Sequence, residues 1–215
     1  MRNLFFMTVI LAINPSCTCE DLPTRPVITS VFTDDFNRAQ LGDDWLATDP
    51  EAYRIEDGAL TVHDAHNYPL WLKHGLPRNA KVEFDCWSTS PDGDLKVEIW
   101  GDGHSHATGD RSAAYTSTAY NFIFGGWRNT ISTLARMHEH GGDRQSRSDL
   151  HVVPGQKYHW TITRQGNHIA WQIDGQPFLS MDDPAPLEGE NHGFFGFNDW
   201  EAELHFDNLR ITPLP

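Results

Sequence analysis

Ala80-Lys-Val-Glu-Phe-Asp-Cys-Trp87 and Leu95-Lys-Val-Glu-Ile-Trp100 decide the fold class. Both alternate apolar and polar residues with a period of two, the period of a strand with one face buried. In the first run Val82, Phe84 and Cys86 fall on one side, and Glu83, Asp85 and Trp87 on the other. In the second, Leu95, Val97 and Ile99 face in, while Lys96, Glu98 and Trp100 face out. Read as neighbours, the two runs put indoles and carboxylates on one polar face. A flat ring suits the C–H face of a sugar, and carboxylates suit its hydroxyls. An ordinary exposed sheet face with scattered charges is the competing reading.

The same period extends in both directions. Val31 to Phe36, Tyr53 to Glu56, Ala59 to His63 and Leu70 to Lys73 precede the two runs. Tyr120 to Phe124, Ile131 to His138, Tyr158 to Ile162, Ile169 to Ile173, Pro177 to Met181, Phe194 to Phe197 and Glu203 to Thr212 follow. Asp57-Gly58, Gln165-Gly166-Asn167 and Asp174-Gly175 are hairpin turns, and Ser90-Pro-Asp-Gly93 is a turn. No long helical stripe occurs; only Asn37 to Trp45 could hold a short helical turn. Many short strands with Gly, Pro, Asn and Asp turns predict an all-β, two-sheet antiparallel β-sandwich of jelly-roll type. Gly101 to Thr118 and Glu139 to Val153 are the longest unpatterned stretches, read as loops, with Gly141 to Asp149 simply solvated.

Residues 1–19 read as an export signal: Met1-Arg2-Asn3, then the apolar run Leu4 to Ile13, too short to span a bilayer. Cys17 stands where a lipoprotein would carry its acyl chain, although Asn14 fits that pattern poorly, so lipid anchoring and plain secretion are both open. Either places the domain outside the cytoplasm, in a bacterial cell envelope or beyond it. Residues 20–30 form a spacer and 31–215 a single domain. Cys86 reads as a small buried hydrophobe, and three cysteines make no disulfide framework. A net charge of −14, spread along the chain, excludes nucleic acid as a partner. No later segment is apolar enough for a transmembrane span.

Four framing stretches carry a family likeness: Phe32-Thr-Asp-Asp-Phe-Asn-Arg38, Tyr53-Arg-Ile-Glu-Asp-Gly-Ala-Leu60, Trp171-Gln-Ile-Asp-Gly-Gln-Pro-Phe178 and Phe206-Asp-Asn-Leu-Arg-Ile211. In order and spacing they resemble the concanavalin A-like lectin/glucanase superfamily, and within it the bacterial 3-keto-disaccharide hydrolase-like domains. The resemblance is specific for fold and implies a saccharide partner without choosing between binding and catalysis. Relatives also carry a structural calcium between first and last strands, which implies Asp34, Asp35 and Asp207 as its ligands here; no other cofactor is implied. Laminarinase-type members carry Glu-x-Asp-x-x-Glu, but Glu83-Phe-Asp85-Cys-Trp-Ser88 has serine at the last position, which argues against that chemistry.

The leading expectation is an exported saccharide-binding domain working on its concave sheet. Trp87, Trp100 and Trp127 would stack on the ligand, and Glu83, Asp85, Glu98, Asn121, Arg136 and His138 would hydrogen-bond it. The alternative is a glycoside or keto-sugar hydrolase with Glu83, Asp85, Glu98 and His138 as candidate acids and bases. A third reading is an envelope domain that docks another protein. Twelve histidines include His104-Ser-His106 and His138-Glu-His140, each able to offer two imidazoles to a transition metal if the loops converge. Trp160 and Trp171 belong to the core.

Overall fold

The alternating runs become strands largely where their spacing puts them. The computed structural model describes residues 25–105, 117–189 and 192–215. The export signal, with Cys17 and Cys19, lies outside the described residues, and so does His106. The strands in chain order begin with β1 (Phe32–Asp34), β2 (Trp45–Ala47), β3 (Tyr53–Glu56), β4 (Ala59–Val62) and β5 (Leu70–Leu72). There follow β6 (Ala80–Ser88), β7 (Leu95–Gly101), β8 (Tyr120–Gly125), β9 (Ile131–Arg136) and β10 (Gln145–Arg147). The last five are β11 (Tyr158–Gln165), β12 (His168–Ile173), β13 (Gln176–Asp182), β14 (Phe194–Asn198) and β15 (Leu204–Pro213).

They form two antiparallel sheets. One is eight-stranded, in the order β13-β12-β11-β6-β15-β4-β3 with β1 also on β15. The other is seven-stranded, in the order β10-β9-β8-β7-β14-β5-β2. The hairpin turns are chemically simple: Asp57 and Gly58 take φ of 50° and 76°, and Asp174 and Gly175 take 51° and 73°. Two successive positive values make the tight turn whose twist suits a β-hairpin. Between the sheets the core is largely aromatic. Phe84 and Trp171 each lie against Trp160, with ring centroids 5.4 Å and 4.4 Å away, and Leu95, Val97 and Ile99 are fully buried. Cys86 is free and buried, and burial pushes its thiol well up.

Three expectations change. Asn37 to Trp45 forms bends and then enters β2, not a helical turn. Its shape comes from Asp34, whose oxygens accept from the Phe36 amide at 2.9 Å, Arg38 Nη2 at 2.8 Å and Trp45 Nε1 at 2.7 Å. Part of the stretch read as solvated is β10, which pairs with β9 through Gln145, Ser146 and Arg147.

The third change divides the expected site. β6 and β7 are consecutive in sequence but belong to opposite sheets. The Thr89–Asp94 connection is an arch over the end of the sandwich, not a hairpin. Both runs do turn their apolar residues inward, yet toward the same core from opposite sides. Their polar faces therefore point away from each other, outside sheets that pack about 10 Å apart. The period of a strand says which residues share a side; it does not say which sheet that side belongs to.

Candidate functional site

The outer face of the seven-stranded sheet carries a buried polar cluster. A cross-strand row runs through Trp71, Gly196, Glu98 and Asn121, each in register with the next. Gly196 leaves room for the Trp71 ring, since a Cβ there would lie 2.6 Å from Cε3. Glu98 is fully buried and accepts hydrogen bonds from Ser105 Oγ (2.6 Å), Ser117 Oγ (3.0 Å) and Asn198 Nδ2 (2.6 Å). Two residues back along β7, on the same face, Lys96 is also buried and donates to Asn67 Oδ1 at 2.6 Å and Glu139 Oε2 at 2.8 Å. Burial opposes the charge on Lys96, but Glu139, Glu98 and Asp94 together raise its pKa. Burial likewise opposes the charge on Glu139, and Lys96 more than offsets it, so that carboxyl is lowered. The two form a fixed ion pair of the kind that persists only when hydrogen-bonded.

Asp94 stands at the open end of this cluster, half-buried, where the arch from β6 enters β7. Two left-handed turns interlock to place it. Gly93 and Asp94 have φ of 71° and 62°, and the turn after β8 has φ of 50°, 59° and 59° at Trp127, Arg128 and Asn129. The Asp94 amide donates to the Gly125 carbonyl at 2.9 Å, and a Cβ on Gly93 would meet the same oxygen at 2.7 Å. Asn129 locks the second turn by donating to the Val152 carbonyl and accepting from its amide. Non-glycine residues in this region are strained, and such strain gathers at functional sites. Burial pushes the Asp94 carboxyl up to about 7; Lys96 opposes the rise, while Glu139 and Asp92 add to it. Asp199, fully buried nearby, is raised well above the usual carboxylate range by burial and by Asp94. A carboxyl poised near neutrality can both take and give a proton at pH 7.

The two segments in contact with Asp94 each carry an exposed indole. Trp200 donates its backbone amide to Asp94 Oδ2 at 3.2 Å, and Gly126, next to Trp127, lies beside Oδ1. Trp127 is 38 % exposed and Trp200 45 %, the two aromatics among the exposed large apolar side chains of the described residues. Each meets a histidine edge-on: His140 against Trp127 with centroids 5.3 Å apart, His66 against Trp200 at 4.9 Å. Backbone bonds from His66 and Asn67 to Trp200 and Asp199 tie the loops together.

The residues expected to share one hollow are thus divided. Glu83, Asp85 and Trp87 lie on the outer face of the eight-stranded sheet, away from Glu98. Glu83 pairs with Lys81, and Asp85 accepts from Asn208 and lies 2.7 Å from His159 Nδ1. Trp87 stacks on His205 at 4.8 Å and has Lys157 Nζ 4.1 Å from its ring. Trp100 does not face out: a bulge gives it φ 59°, breaks the alternation and buries its ring at the core edge, where Nε1 donates to the Pro77 carbonyl at 3.1 Å. Arg136 neither reaches the outer face nor pairs with Glu83 or Asp85; it donates to Asp183 Oδ2 at 3.0 Å and to the Ala185 carbonyl. Asn121 joins the cluster, donating to the Met137 carbonyl. His138 is exposed at the margin, its ring 5.9 Å from that of His140. The spacing rules did not single out Asp94, Asp199 or Trp200. Asp94 was hidden in a turn motif, and Asn198-Asp-Trp200-Glu offered one signal: a tryptophan among acids just past an apolar strand.

Among the described residues no group of three His, Cys, Asp or Glu side chains could hold a metal ion. Asp34 is held by Arg38 and Trp45, Asp35 accepts from the Asn37 amide, and Asp207 accepts from the Asn208 amide. His104 is exposed beside Ser105.

The architecture is shared with carbohydrate-active proteins. It superimposes on the Bacillus licheniformis β-glucanase with a TM-score of 0.63 at 12 % identity, over 86 % of this chain and 99 % of that one. It superimposes on the carbohydrate-binding module CBM66 from Bacillus subtilis at 0.56 and 11 % identity, over 80 % and 98 %. A putative glycosyl hydrolase from Parabacteroides distasonis gives 0.55 at 17 % identity, over 85 % and 100 %. No curated protein matches the chain in sequence. Among the described residues no helix is long and apolar enough to cross a membrane. The model of the 3-keto-alpha-glucoside-1,2-lyase-like domain matches residues 31–212, so the chain belongs to that family.

Proposed function

We propose that this chain acts on a saccharide at the outer face of the seven-stranded sheet, with Asp94 transferring the proton, and that its substrate is a 3-keto glycoside. One observation carries the reading: half-buried Asp94, its carboxyl raised to about 7, stands beside a buried Lys96–Glu139 pair and is hydrogen-bonded to the two loops that carry the exposed indoles Trp127 and Trp200. The chemistry balances without an oxidant or a water molecule. A ketone at C3 acidifies the hydrogen on C2. Asp94 as carboxylate takes that proton, the C1–C2 double bond forms, the C1–O bond breaks, and the departing oxygen takes the proton back from Asp94. Lys96 limits the rise of the Asp94 pKa, so that enough of the base is ionised at neutral pH.

Hydrolysis is less well supported. It calls for two carboxyl groups flanking the bond, and Glu98 is buried and committed to three donors. That same commitment favours a second reading, a saccharide-binding domain without turnover. Release of nitrophenolate from a p-nitrophenyl 3-keto-α-glucoside separates the two. Wild type should release it and Asp94→Asn should not. Turnover by the variant at the wild-type rate would remove Asp94 from the mechanism, and binding without turnover by wild type would leave the second reading. The apolar N-terminal run supports export to the envelope or beyond.

A further inference from the structure

We infer that Arg164 anchors a second binding site, for a small monovalent carboxylate, and that this anion enters by displacing the strap of residues 183–188 that covers the guanidinium. The site is separate from the one proposed above. It adjoins Trp100 near the end of β7, whereas Asp94 precedes the start of that strand. The inference therefore does not depend on the reading of Asp94.

In β11 the inward positions are Tyr158, Trp160, Ile162 and Arg164. The period of a strand thus delivers a guanidinium to the end of an aromatic core. Arg164 is 1 % exposed. Its central carbon lies 5.4 Å from the centre of the Trp100 ring and 5.6 Å from that of Tyr120. Its acceptors among the described residues are two carbonyls, Leu187 for Nη1 at 2.9 Å and Gly166 for Nε at 3.4 Å. Nη2 is enclosed and has no hydrogen-bond partner. The two acids of the strap are used elsewhere: Asp183 accepts from Tyr120 and Arg136, and Glu188 pairs with Arg78. Three guanidiniums thus face two carboxylates, in a chain whose net charge is −14. One positive charge is left over, and it is the buried one. Burial opposes that charge and lowers the Arg164 pKa, and Arg78 adds to the effect. A buried guanidinium without a counter-ion is costly, and a single monovalent anion would relieve it.

The strap joins β13 to β14 and is held by polar bonds, not by strand pairing. Arg136 donates to the Ala185 carbonyl at 2.9 Å, and the Tyr120 hydroxyl accepts from the Leu187 amide at 2.9 Å. The Leu187 carbonyl is a neutral acceptor and takes one arm of the Arg164 fork. A carboxylate takes both arms in a charge-assisted, bidentate pair. It would replace that carbonyl on Nη1, give Nη2 its acceptor and neutralise the surplus charge. Pro184 and Pro186 stiffen the strap, so it would lift as a unit. Because Nη2 is enclosed, the smallest carboxylates suit the site best.

The test is titration of the full-length wild type with sodium formate, and separately with sodium chloride at equal ionic strength, read by amide NMR shifts and amide hydrogen exchange. Formate should bind saturably and at least about tenfold more tightly than chloride, which cannot span the fork. Exchange at the Leu187 amide should speed up on binding, because its bond to Tyr120 is lost as the strap lifts. Arg164→Met should weaken formate binding by about ten- to a hundredfold. Without formate it should melt at or above the wild-type temperature, since an apolar side chain of similar size replaces an uncompensated buried charge. Arg164→Lys keeps the charge without the fork and should lose the preference for formate over chloride; it serves if the Met variant does not fold. No saturable formate binding by wild type up to about 0.1 M would overturn the inference. Equal affinity for formate and chloride, or undiminished formate binding by Arg164→Met, would mean an adventitious ion only and overturn it too. Formate binding with unchanged exchange at Leu187 would refute entry beneath the strap, and with it the inference as stated.

Discussion

Replacing Asp94 by Asn should make the folded chain more stable, and only at neutral and higher pH. Asparagine is isosteric, still accepts from the Trp200 amide, and tolerates the left-handed backbone at this position. Burial raises the Asp94 pKa from its ordinary 3.8 to about 7. Between those values the folded chain holds a proton that the unfolded chain has released, so stability falls as pH rises through the interval. At 1.36 kcal/mol for each pH unit, the whole interval amounts to about 4 kcal/mol. The carboxyl is partly open to solvent, which reduces this to about 2 kcal/mol. Removing the charge should therefore gain about 2 kcal/mol at pH 8, or a Tm increase of about 4–8 °C for a domain of this size. Near pH 4 wild type and variant should be almost equally stable. Urea unfolding at the two pH values measures the difference directly. An equal gain at both, or a loss at pH 8, would refute the argument that Asp94 is a carboxyl held against its own ionisation. Loss of catalysis with a gain of stability is the usual signature of a site kept strained for its chemistry.

Gly196→Ala should cost about 1–3 kcal/mol, because its Cβ would meet buried Trp71 at 2.6 Å and Pro69 at 3.2 Å; a Tm within about 1 °C of wild type would contradict this. Asp34→Ala should cost about 2–4 kcal/mol by leaving Trp45 Nε1, the Phe36 amide and Arg38 without their acceptor, read by chemical denaturation. The Asp34 pKa is lowered: burial opposes the charge, but the bonds from Arg38 and Trp45 outweigh it, so this contribution is present at neutral pH and disappears as pH falls below the ordinary carboxylate range. Trp87→Ala should leave saccharide affinity and turnover within about twofold of wild type, since Trp87 lies on the opposite sheet; a larger loss would move the site to that face.

Strand positions and burial could be read from residue order because they depend on a local period. Val82, Phe84 and Cys86 are inward as their spacing requires, and so are Leu95, Val97 and Ile99. Asp57-Gly58 and Asp174-Gly175 turn where expected because tight turns are decided by two residues. The site depends on which strands become neighbours, and that is set by the packing of the whole chain. Lys96, Glu98 and Asn121 lie on an outer face as their spacing requires, but their companions are Glu139 and Asn198, contributed by a loop and a strand distant in sequence. Trp100 misled because a bulge shifts one residue out of the alternation, and nothing in Glu98-Ile-Trp100-Gly announces it. Trp127 could be anticipated from its glycine-led turn. Trp200 could not, because its significance comes from the Asp94 side chain, which is 106 positions away in the chain.

The final strand has a consequence for how the molecule comes into being. β15 is hydrogen-bonded to β1, β4 and β6, three of the four strands of the eight-stranded sheet that come before β11. Until Leu204–Pro213 is available, those three segments have no common partner, and one whole layer lacks its centre. A growing chain therefore cannot settle into the native form of this domain before Leu204–Pro213 has been made. Cooperative folding of the domain must wait for that strand, which makes its deletion far more damaging than the loss of ten surface residues would suggest.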